Sequence, residues 1–399
     1  MSTEHIAKDK LKTSSRSFFN NPKNRALIYQ FLLLIGLGYF FYSIVSNALA
    51  NMEARGIKSG FDFLSTTSGY DILMSLVPYD ATSTYANVFL VGLLNTILVS
   101  TIGIILSTIV GFIVGISYFS RNWLIKRLSV AYVQTFRNIP LLLQVFFWYN
   151  AVLRVLPSPR ESFNFADSIF LNVRGLFVPD IVGDSGAGWV YGALFLAIVL
   201  IVFMRRWAHK RQDETGQQFP LVRTSLAILF GFPLIALLIS GTPFHFIYPE
   251  LTGFNFVGGM TIIPELMALT LALTAYGGAF IAEAVRAGVQ SVPHGQTEAA
   301  RSIGLKEHKI MTLIIVPQAM RVIMPLLNSE YQSLVKNSTL ATAIGYPDLF
   351  TVFVGTALNQ TGQAIEIVFM TMAVYFVINM TISFVMNHLN SSVAIVERT

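Results

Sequence analysis

The chain has 399 residues, of which 54% are hydrophobic and only 12% are charged. Several of its apolar runs approach the roughly 20 residues that cross a bilayer, so the composition predicts an integral membrane protein. The absence of cysteine excludes a disulfide framework and cysteine-ligated metal or iron–sulfur sites. The net charge of +6 could indicate nucleic acid, but in a membrane protein basic residues usually mark the cytoplasmic side.

The N-terminal region predicts an uncleaved membrane anchor. Residues 1–25 are polar and basic, and residues 26–46 form the first apolar run. Both are long for a secretory signal peptide, whose apolar region usually has about 7 to 15 residues. We therefore predict a cytoplasmic tail over 1–25, a transmembrane anchor over 26–46 and a periplasmic loop over 47–86.

The remaining apolar runs complete a helical membrane protein. No strand-like alternation recurs at the ten-residue spacing of a barrel, so the spans are predicted as helices, whose backbone groups are satisfied internally. The predicted fold is all-α, with about eight transmembrane helices. The predicted spans cover residues 26–46, 87–119, 139–156, 187–204, 221–240, 260–285, 319–342 and 364–389.

The distribution of basic residues predicts the orientation. If the N-terminus is cytoplasmic, eight spans return the tail at 390–399 to the cytoplasm. Most Lys and Arg then lie on or near the cytoplasmic side, as the positive-inside rule requires. The exceptions are Arg55, Lys58, Arg154, Arg160, Arg174 and Lys336. Because the basic residues are dispersed among segments that adjoin the membrane, we predict a bacterial inner-membrane protein that does not bind nucleic acid.

A charged segment, residues 291–317, separates the sixth and seventh predicted spans on the cytoplasmic side. Ser291 can cap a helix with Pro293 near its first position, and Gly304 suits the end of that helix. A second short helix over 305–316 would then run into Pro317. Two short helices in a bent hairpin predict a docking surface rather than a membrane span.

The same segment carries a spaced motif that resembles the EAA loop of ABC importer permeases. Glu298-Ala299-Ala300 is followed after three residues by Gly304, and nine residues later by Ile314-x-Val316-Pro317. The family pattern ends in Ile-x-Leu-Pro, so Val316 is a conservative departure. The resemblance implies that the loop inserts into a cleft on a cytoplasmic ATPase subunit. The coupling residues it implies are Glu298, Ala299, Ala300, Gly304, Leu305, Ile314 and Pro317.

Three more segments, 137–144, 275–296 and 336–348, are similar to the polar amino-acid permease subgroup, and above all to the large Q-type subunit of general L-amino-acid transporters. The resemblance covers 87–156 and 262–389, which would form a five-helix permease core. The inserted helices and loops at 157–261 and the N-terminal anchor depart from the smaller five-helix permeases.

The resemblance implies a permease subunit of an ATP-driven amino-acid importer, which is not itself an enzyme. The chain has no G-x-x-x-x-G-K-[ST] sequence, so ATP and Mg would be held by the partner ATPase and no cofactor is expected here. The implied partners are an ABC ATPase dimer, a second homologous permease, a periplasmic amino-acid-binding protein, the amino-acid substrate and the lipid bilayer. The six histidines are scattered without metal-ligand spacing, so no metal site is expected.

Polar residues inside the predicted spans are the candidates for the substrate pathway. They are Gln144, Tyr276, Glu283, Glu330, Asn337, Ser338 and Thr339. Two alternatives stay open: Glu283 can pair with Arg286 three residues later as an interface anchor, and Gln144 and Tyr276 can bond between helices.

The run at 336–339 is poor helix material, so its freed backbone N–H groups could hold a substrate carboxylate. The alternative there is an ordinary helix end facing the periplasm. A different function also stays open: an ion-coupled secondary carrier that uses Glu283 or Glu330 as a proton site. A membrane enzyme would need a clustered acid, base or metal set, which the sequence does not display.

Overall fold

The computed structural model describes residues 22–54 and 59–393. Most of the two predicted cytoplasmic tails, 1–25 and 390–399, lies outside the described residues. Within the described ranges, seven helices are long and apolar enough to cross a membrane, and one shorter apolar helix covers Leu141–Leu153. The chain is therefore a helical, multi-pass membrane protein, as predicted.

The helices in chain order are α1 (Pro22–Ala54), α2 (Tyr85–Ser117), α3 (Trp123–Asn138), α4 (Leu141–Phe146), α5 (Ala187–Thr215), α6 (Leu221–Ile239), α7 (Pro264–Gln290), α8 (His294–Ser302), α9 (Glu307–Ile310), α10 (Val316–Asn337), α11 (Leu358–Thr361) and α12 (Ala364–Val393). π-Helical turns extend α4 over Phe147–Leu153, join α9 to α10 over Met311–Ile315 and precede α11 over Phe350–Ala357. A 3-10 segment, Ser338–Ala343, extends α10.

The third predicted span, 139–156, is shorter than expected and is preceded by a break in the chain. The segment expected as a cytoplasmic loop before it forms α3, a 16-residue amphipathic helix. The chain then turns at Ile139 and Pro140 before α4 begins. Residues 141–153 are about 20 Å long at a helical rise, which is short of the roughly 30 Å hydrocarbon core. Proline ends α3 because it disfavours the helical conformation of the residue before it.

The insertion at 157–261 contains short β-strands that the prediction of an all-helical chain did not include. In chain order they are β1 (Phe163–Phe165), β2 (Ile169–Asn172), β3 (Gly175–Val178), β4 (Asp180–Gly183), β5 (Phe244–Ile247), β6 (Glu250–Thr252), β7 (Asn255–Val257) and β8 (Met260–Ile262). They form an antiparallel sheet in the order β1-β2-β3-β8 and two ribbons, β4-β5 and β6-β7.

The sheet explains where the next membrane helix begins. The predicted span at 260–285 starts too early, because Met260–Ile262 pairs with β3 as strand β8. Helix α7 starts at Pro264, a residue that suits the first helical turn because its missing N–H has no partner to lose there. The β3–β8 pairing also brings the two ends of the insertion together. The chain segment that contains α5 and α6 therefore begins and ends beside this pair of strands.

Helix α7 is the centre of the permease-like core and packs against α2, α3 and α10. Two glycines of α2 allow this close approach. An added Cβ at Gly111 would lie 2.5 Å from Ile281 Cβ, and one at Gly115 would lie 2.7 Å from Val285 Cβ. Small residues at such contacts let membrane helices approach each other and gain van der Waals energy.

Candidate functional site: the loop at 291–317 and a charged cluster

The first short helix of the charged segment, α8, begins later than predicted. Ser291 does not cap it: Ser291 closes α7, where its N–H donates to Ala287 O at 3.0 Å and its hydroxyl donates to Gly288 O at 2.7 Å. The chain then extends through Pro293, which occupies the cap position of α8 without a side-chain bond. Ser291 takes this role because α7 continues to Gln290 and its last carbonyls need donors.

The predicted stop at Gly304 is confirmed in detail. Gly304 has a φ of +78°, the left-handed conformation that glycine adopts without steric cost. Its N–H donates to Arg301 O at 2.9 Å, and the N–H of Leu305 donates to Ala300 O at 3.2 Å. These two bonds form a Schellman motif, which satisfies carbonyls at the end of α8 and fixes the direction of the turn.

The predicted second helix, 305–316, does not end at Pro317. Helix α9 begins at Glu307 and runs through the π-helical turns of Met311–Ile315 into α10. Pro317 lies in the first turn of α10, where a proline costs least. The loop is therefore turned sharply at Gly304 but is continuous with the following membrane helix.

An ion pair links the two sides of the Gly304 turn. Arg301 Nε donates to Glu307 Oε1 at 2.8 Å, and both side chains are more than half exposed. The Glu307 carboxylate raises the pKa of Arg301 above its ordinary value. Apolar side chains on the same loop also face outward, with Ile303 76% and Leu313 65% exposed. Exposed apolar side chains grouped on a structured loop are typical of an interaction surface.

A charged cluster lies in the C-terminal part of α7, beside the break after α3. The carboxylate of Glu283 accepts bonds from Arg286 Nε, at 2.8 Å, and from Arg286 Nη2. Arg137, the penultimate residue of α3, places Nη1 3.6 Å from Glu283 Oε1. Its guanidinium also lies over the ring of Phe280, 5.1 Å from the centroid. The predicted Glu283–Arg286 pair is confirmed, and a second cation joins it.

Two cavities meet at this cluster. One has a volume of about 420 Å³ and lies between the end of α2, α3 and α7. The other, of about 240 Å³, lies between α7 and α10 and is lined by Ser329 and Glu330. Both are lined by Arg137, Phe280 and Glu283. Glu330 Oε1 is buried, and no hydrogen-bond partner for it occurs among the described residues.

The comparisons with known proteins agree with this architecture. Residues 221–395 match the family described as the binding-protein-dependent transport system inner membrane component. The chain is 47% identical to the general L-amino acid transport system permease protein AapQ of Rhizobium johnstonii, over 96% of each chain. The chain belongs to the amino-acid ABC transporter permease family. Two further relatives of this permease are YhdX of Escherichia coli, 48% identical over 95% of this chain and 97% of that protein, and BztB of Rhodobacter capsulatus, 39% identical over 93% of each.

BztB is named as a glutamate/glutamine/aspartate/asparagine transport system permease protein. Family membership makes this permease a transport subunit of an ABC importer rather than an enzyme, with ATP hydrolysis in a separate subunit. ABC importer permeases work with an ATPase and a binding protein, and the inner membrane is the expected location. The comparisons give no support to the ion-coupled carrier.

The permease motif residues of the loop differ in exposure. Glu298, Ala299 and Gly304 are exposed, whereas Ala300 is buried. Leu305, Ile314 and Pro317 are partly buried. The small Ala300 therefore faces the body of the loop, and Glu298 and Ala299 are available to a partner. Their role in coupling stays a prediction.

Gln144 has a structural partner in this permease. Its side chain is buried, and Nε2 donates to Phe136 O and to Ile139 O, both at 2.9 Å. These carbonyls belong to the last turn of α3 and the break after it, where proline removes a backbone donor. Gln144 therefore stabilises the broken helix, as backbone groups at membrane depth must be satisfied within the protein.

Tyr276 lies about two turns of α7 from Glu283, and its ring packs on Phe280 with centroids 4.7 Å apart. The structure thus brings Tyr276, Glu283 and Glu330 to one region of α7 and α10. Gln144 lies at the break near the same region.

The expectation of freed amides at 336–339 is wrong for Ser338. Its N–H donates to Leu334 O, because α10 continues as a 3-10 helix through Ala343. The Ser338 and Thr339 hydroxyls donate to Val335 O and Lys336 O, each at 2.8 Å. Hydroxyl bonds to the preceding turn let such residues remain helical. A substrate contact here would need the side chains of Asn337 or Thr339, and this stays a prediction.

Two functional candidates were missed. Arg137 was not selected although it directly precedes the Asn-Ile-Pro break. Asp348 is fully buried and accepts bonds from Thr351 N–H at 2.9 Å, Thr351 Oγ1 at 2.6 Å and Tyr375 OH at 3.2 Å. An aspartate three residues before a threonine at the start of an apolar run is a capping signal that could have revealed it.

No set of three or more His, Asp or Glu side chains able to hold a metal ion occurs within residues 22–54 and 59–393. In the charged cluster, the Glu283 carboxylate pairs with Arg286 and Arg137.

Proposed function

We propose that this permease is the membrane subunit of an ATP-driven importer that carries amino acids into the cytoplasm. The observation that carries the proposal is the cytoplasmic loop of 291–317, with its rigid Gly304 turn and exposed Ile303 and Leu313. An ABC ATPase dimer, which would hold ATP and Mg, accepts this loop. A second homologous permease completes the membrane pore, and a periplasmic binding protein delivers the substrate.

The orientation follows from the loop. With 291–317 in the cytoplasm and the short helix of Leu141–Leu153 as the eighth crossing, both termini are cytoplasmic, and the β-structured insertion and the loop at 47–86 face the periplasm. The periplasmic segments then meet the binding protein. The basic segments adjoining the cytoplasmic ends of the helices fit this orientation.

The loop transmits the closure of the ATPases to the helix core. Helix α10 follows α9 without a break and carries Glu330, and α7 enters the loop from the other side and carries Glu283. A movement of the loop therefore acts on both carboxylates. We assign Tyr276, Glu283 and Glu330 to the substrate pathway, with Asn337, Ser338 and Thr339 further along α10 and Gln144 supporting the break.

The test is reconstitution of the permease with its ATPase, partner permease and binding protein in proteoliposomes. Uptake of labelled L-glutamine should require ATP and should not occur with an ion gradient alone. Uptake that persists without the ATPase would overturn the proposal.

A matched pair of variants tests the docking surface. Ile303 on the loop and Leu73 in the periplasmic segment are both 76% exposed. Ile303→Asp should lose co-purification with the ATPase because it places a charge in an apolar contact. Leu73→Asp should retain the ATPase, and equal retention by both variants would contradict the docking role.

A further inference from the structure

Arg137 is the least committed cation of the charged cluster. Arg286 makes two hydrogen bonds to Glu283, so that carboxylate is already satisfied without Arg137. Arg137 Nη1 lies 3.6 Å from Glu283 Oε1, which is too long for a good hydrogen bond. Among the described residues, the Arg137 guanidinium donates no hydrogen bond to a protein acceptor. Its guanidinium donors are therefore available to another anion.

Arg137 is positioned so that its free guanidinium donors lie beside two cavities. The break at Ile139 and Pro140 places Arg137 at the end of α3, with its guanidinium held over Phe280 at 5.1 Å. From there it lines both the cavity of about 420 Å³ and the cavity of about 240 Å³. The Arg137 side chain therefore faces a solute in either cavity.

The smaller cavity also presents the opposite charge. Glu330 lines it with Arg137, and Glu330 Oε1 has no hydrogen-bond partner among the described residues. A cation with free donors and a carboxylate with a free oxygen in the lining of one cavity match the two charges of a zwitterion. Charged groups at membrane depth are costly, so their presence in a cavity points to a function in the passage of charged groups.

We propose that Arg137 binds the α-carboxylate of the transported amino acid in the cavity between α7 and α10, while Glu330 accepts its α-ammonium group. Binding replaces the loose contact between Arg137 and Glu283 by a charge-assisted hydrogen bond, and Glu283 stays with Arg286. Arg137 is thus a specificity residue of the pathway. The inference rests on the proposed amino-acid transport and adds the groups that recognise the substrate.

The chain contains no cysteine, so one introduced thiol reports on the cavity. Ser329 is exposed and lines the cavity with Glu330. In the reconstituted full complex carrying Ser329→Cys, L-glutamine should slow the reaction of this chain with a small thiol reagent. Mass analysis of the isolated chain separates its labelling from that of the other subunits.

The decisive comparison adds Arg137→Gln to the Ser329→Cys chain. The L-glutamine concentration needed for protection should rise by at least about tenfold, the effect of losing one hydrogen bond to a charged group. Arg137→Lys keeps the charge and should fall between the two. Arg154→Gln is the matched control, because Arg154 also lies over an aromatic ring, 5.0 Å from the Tyr149 centroid. It should leave protection unchanged.

The outcomes separate the inference from the transport function. If the unsubstituted complex shows no ATP-dependent uptake, the proposed function fails. If it transports L-glutamine but Ser329→Cys is not protected, or if protection survives Arg137→Gln, the assignment of Arg137 is overturned. Stimulation of ATP hydrolysis by the loaded binding protein shows that each variant has folded and assembled, and Arg137→Lys carries the test if Arg137→Gln does not assemble.

Discussion

The contact between α2 and α7 gives a sharp test of how the core is packed. Gly111 and Gly103 lie on the same helix, but their surroundings differ. A Cβ at Gly111 would lie 2.5 Å from Ile281 Cβ and 3.0 Å from Gly278 O, whereas a Cβ at Gly103 would lie 3.4 Å from Leu273 Cδ1. Gly111→Ala must push the helices apart, because the atom it meets is fixed to the backbone. Gly103→Ala makes an ordinary contact with the tip of a flexible side chain.

The magnitude follows from the difference between the two variants. Each gains the same helix propensity, roughly 1 kcal/mol for glycine to alanine, so this gain cancels in the comparison. What remains is the overpacking at Gly111, which typically costs about 1–3 kcal/mol. We therefore expect the free energy of unfolding of Gly111→Ala to be lower than that of Gly103→Ala by that amount.

The assay is reversible unfolding of the purified permease by a denaturing detergent, followed by circular dichroism. Gly115→Ala should behave like Gly111→Ala, since its Cβ would lie 2.7 Å from Val285 Cβ. If Gly111→Ala proves as stable as Gly103→Ala, the close approach of α2 and α7 is wrong.

Three other variants probe the break, the loop and the buried aspartate. Gln144→Leu leaves the part-buried carbonyls of Phe136 and Ile139 without their amide donor, at up to about 1–3 kcal/mol for each unsatisfied group. The unfolding midpoint should therefore fall, and an unchanged midpoint would contradict the role given to the amide. Gly304→Ala places an alanine in the left-handed conformation, which costs about 1–2 kcal/mol, and should lower ATP-dependent uptake. Gly295→Ala is the control and should not lower uptake, because Gly295 lies on α8 with open space around it and has no positive φ. Asp348→Ala removes a helix cap worth about 0.5–2 kcal/mol and should lower the stability of the purified protein, while Asp348→Asn should retain part of it, and equal loss in both would refute the capping role.

The membrane helices could be predicted because their signal is local. The length and apolar composition of each run are enough to predict a membrane helix, and the structure has helices over nearly all of the expected spans. The turn at Gly304 was predictable for the same reason, since a left-handed glycine after a helical pattern acts within a few residues.

The rest depended on contacts distant in sequence. Helix α3 is amphipathic and basic, so its segment resembles a polar loop in the sequence, and its placement depends on contact with α7, which follows more than 120 residues later. Strand β8 is specified by pairing with β3, about eighty residues away in the chain, which no local pattern reveals. Arg137 was selected only after its contact with Glu283 on another helix was known. A single arginine near a proline does not indicate such a partner in the sequence.

The two helices that enter the loop at 291–317 carry the two carboxylates of the proposed pathway at different distances from the loop. Glu283 lies about 10 Å of helix above the end of α7, and Glu330 lies about 20 Å along α10 from Pro317. Both helices enter the loop, but α3, which carries Arg137, does not. In the proposed coupling, a displacement of the loop would move both carboxylates relative to the guanidinium. Because attraction between charges changes with separation, such a displacement would also change how tightly Arg137 holds an anion, as release of a substrate carboxylate would require.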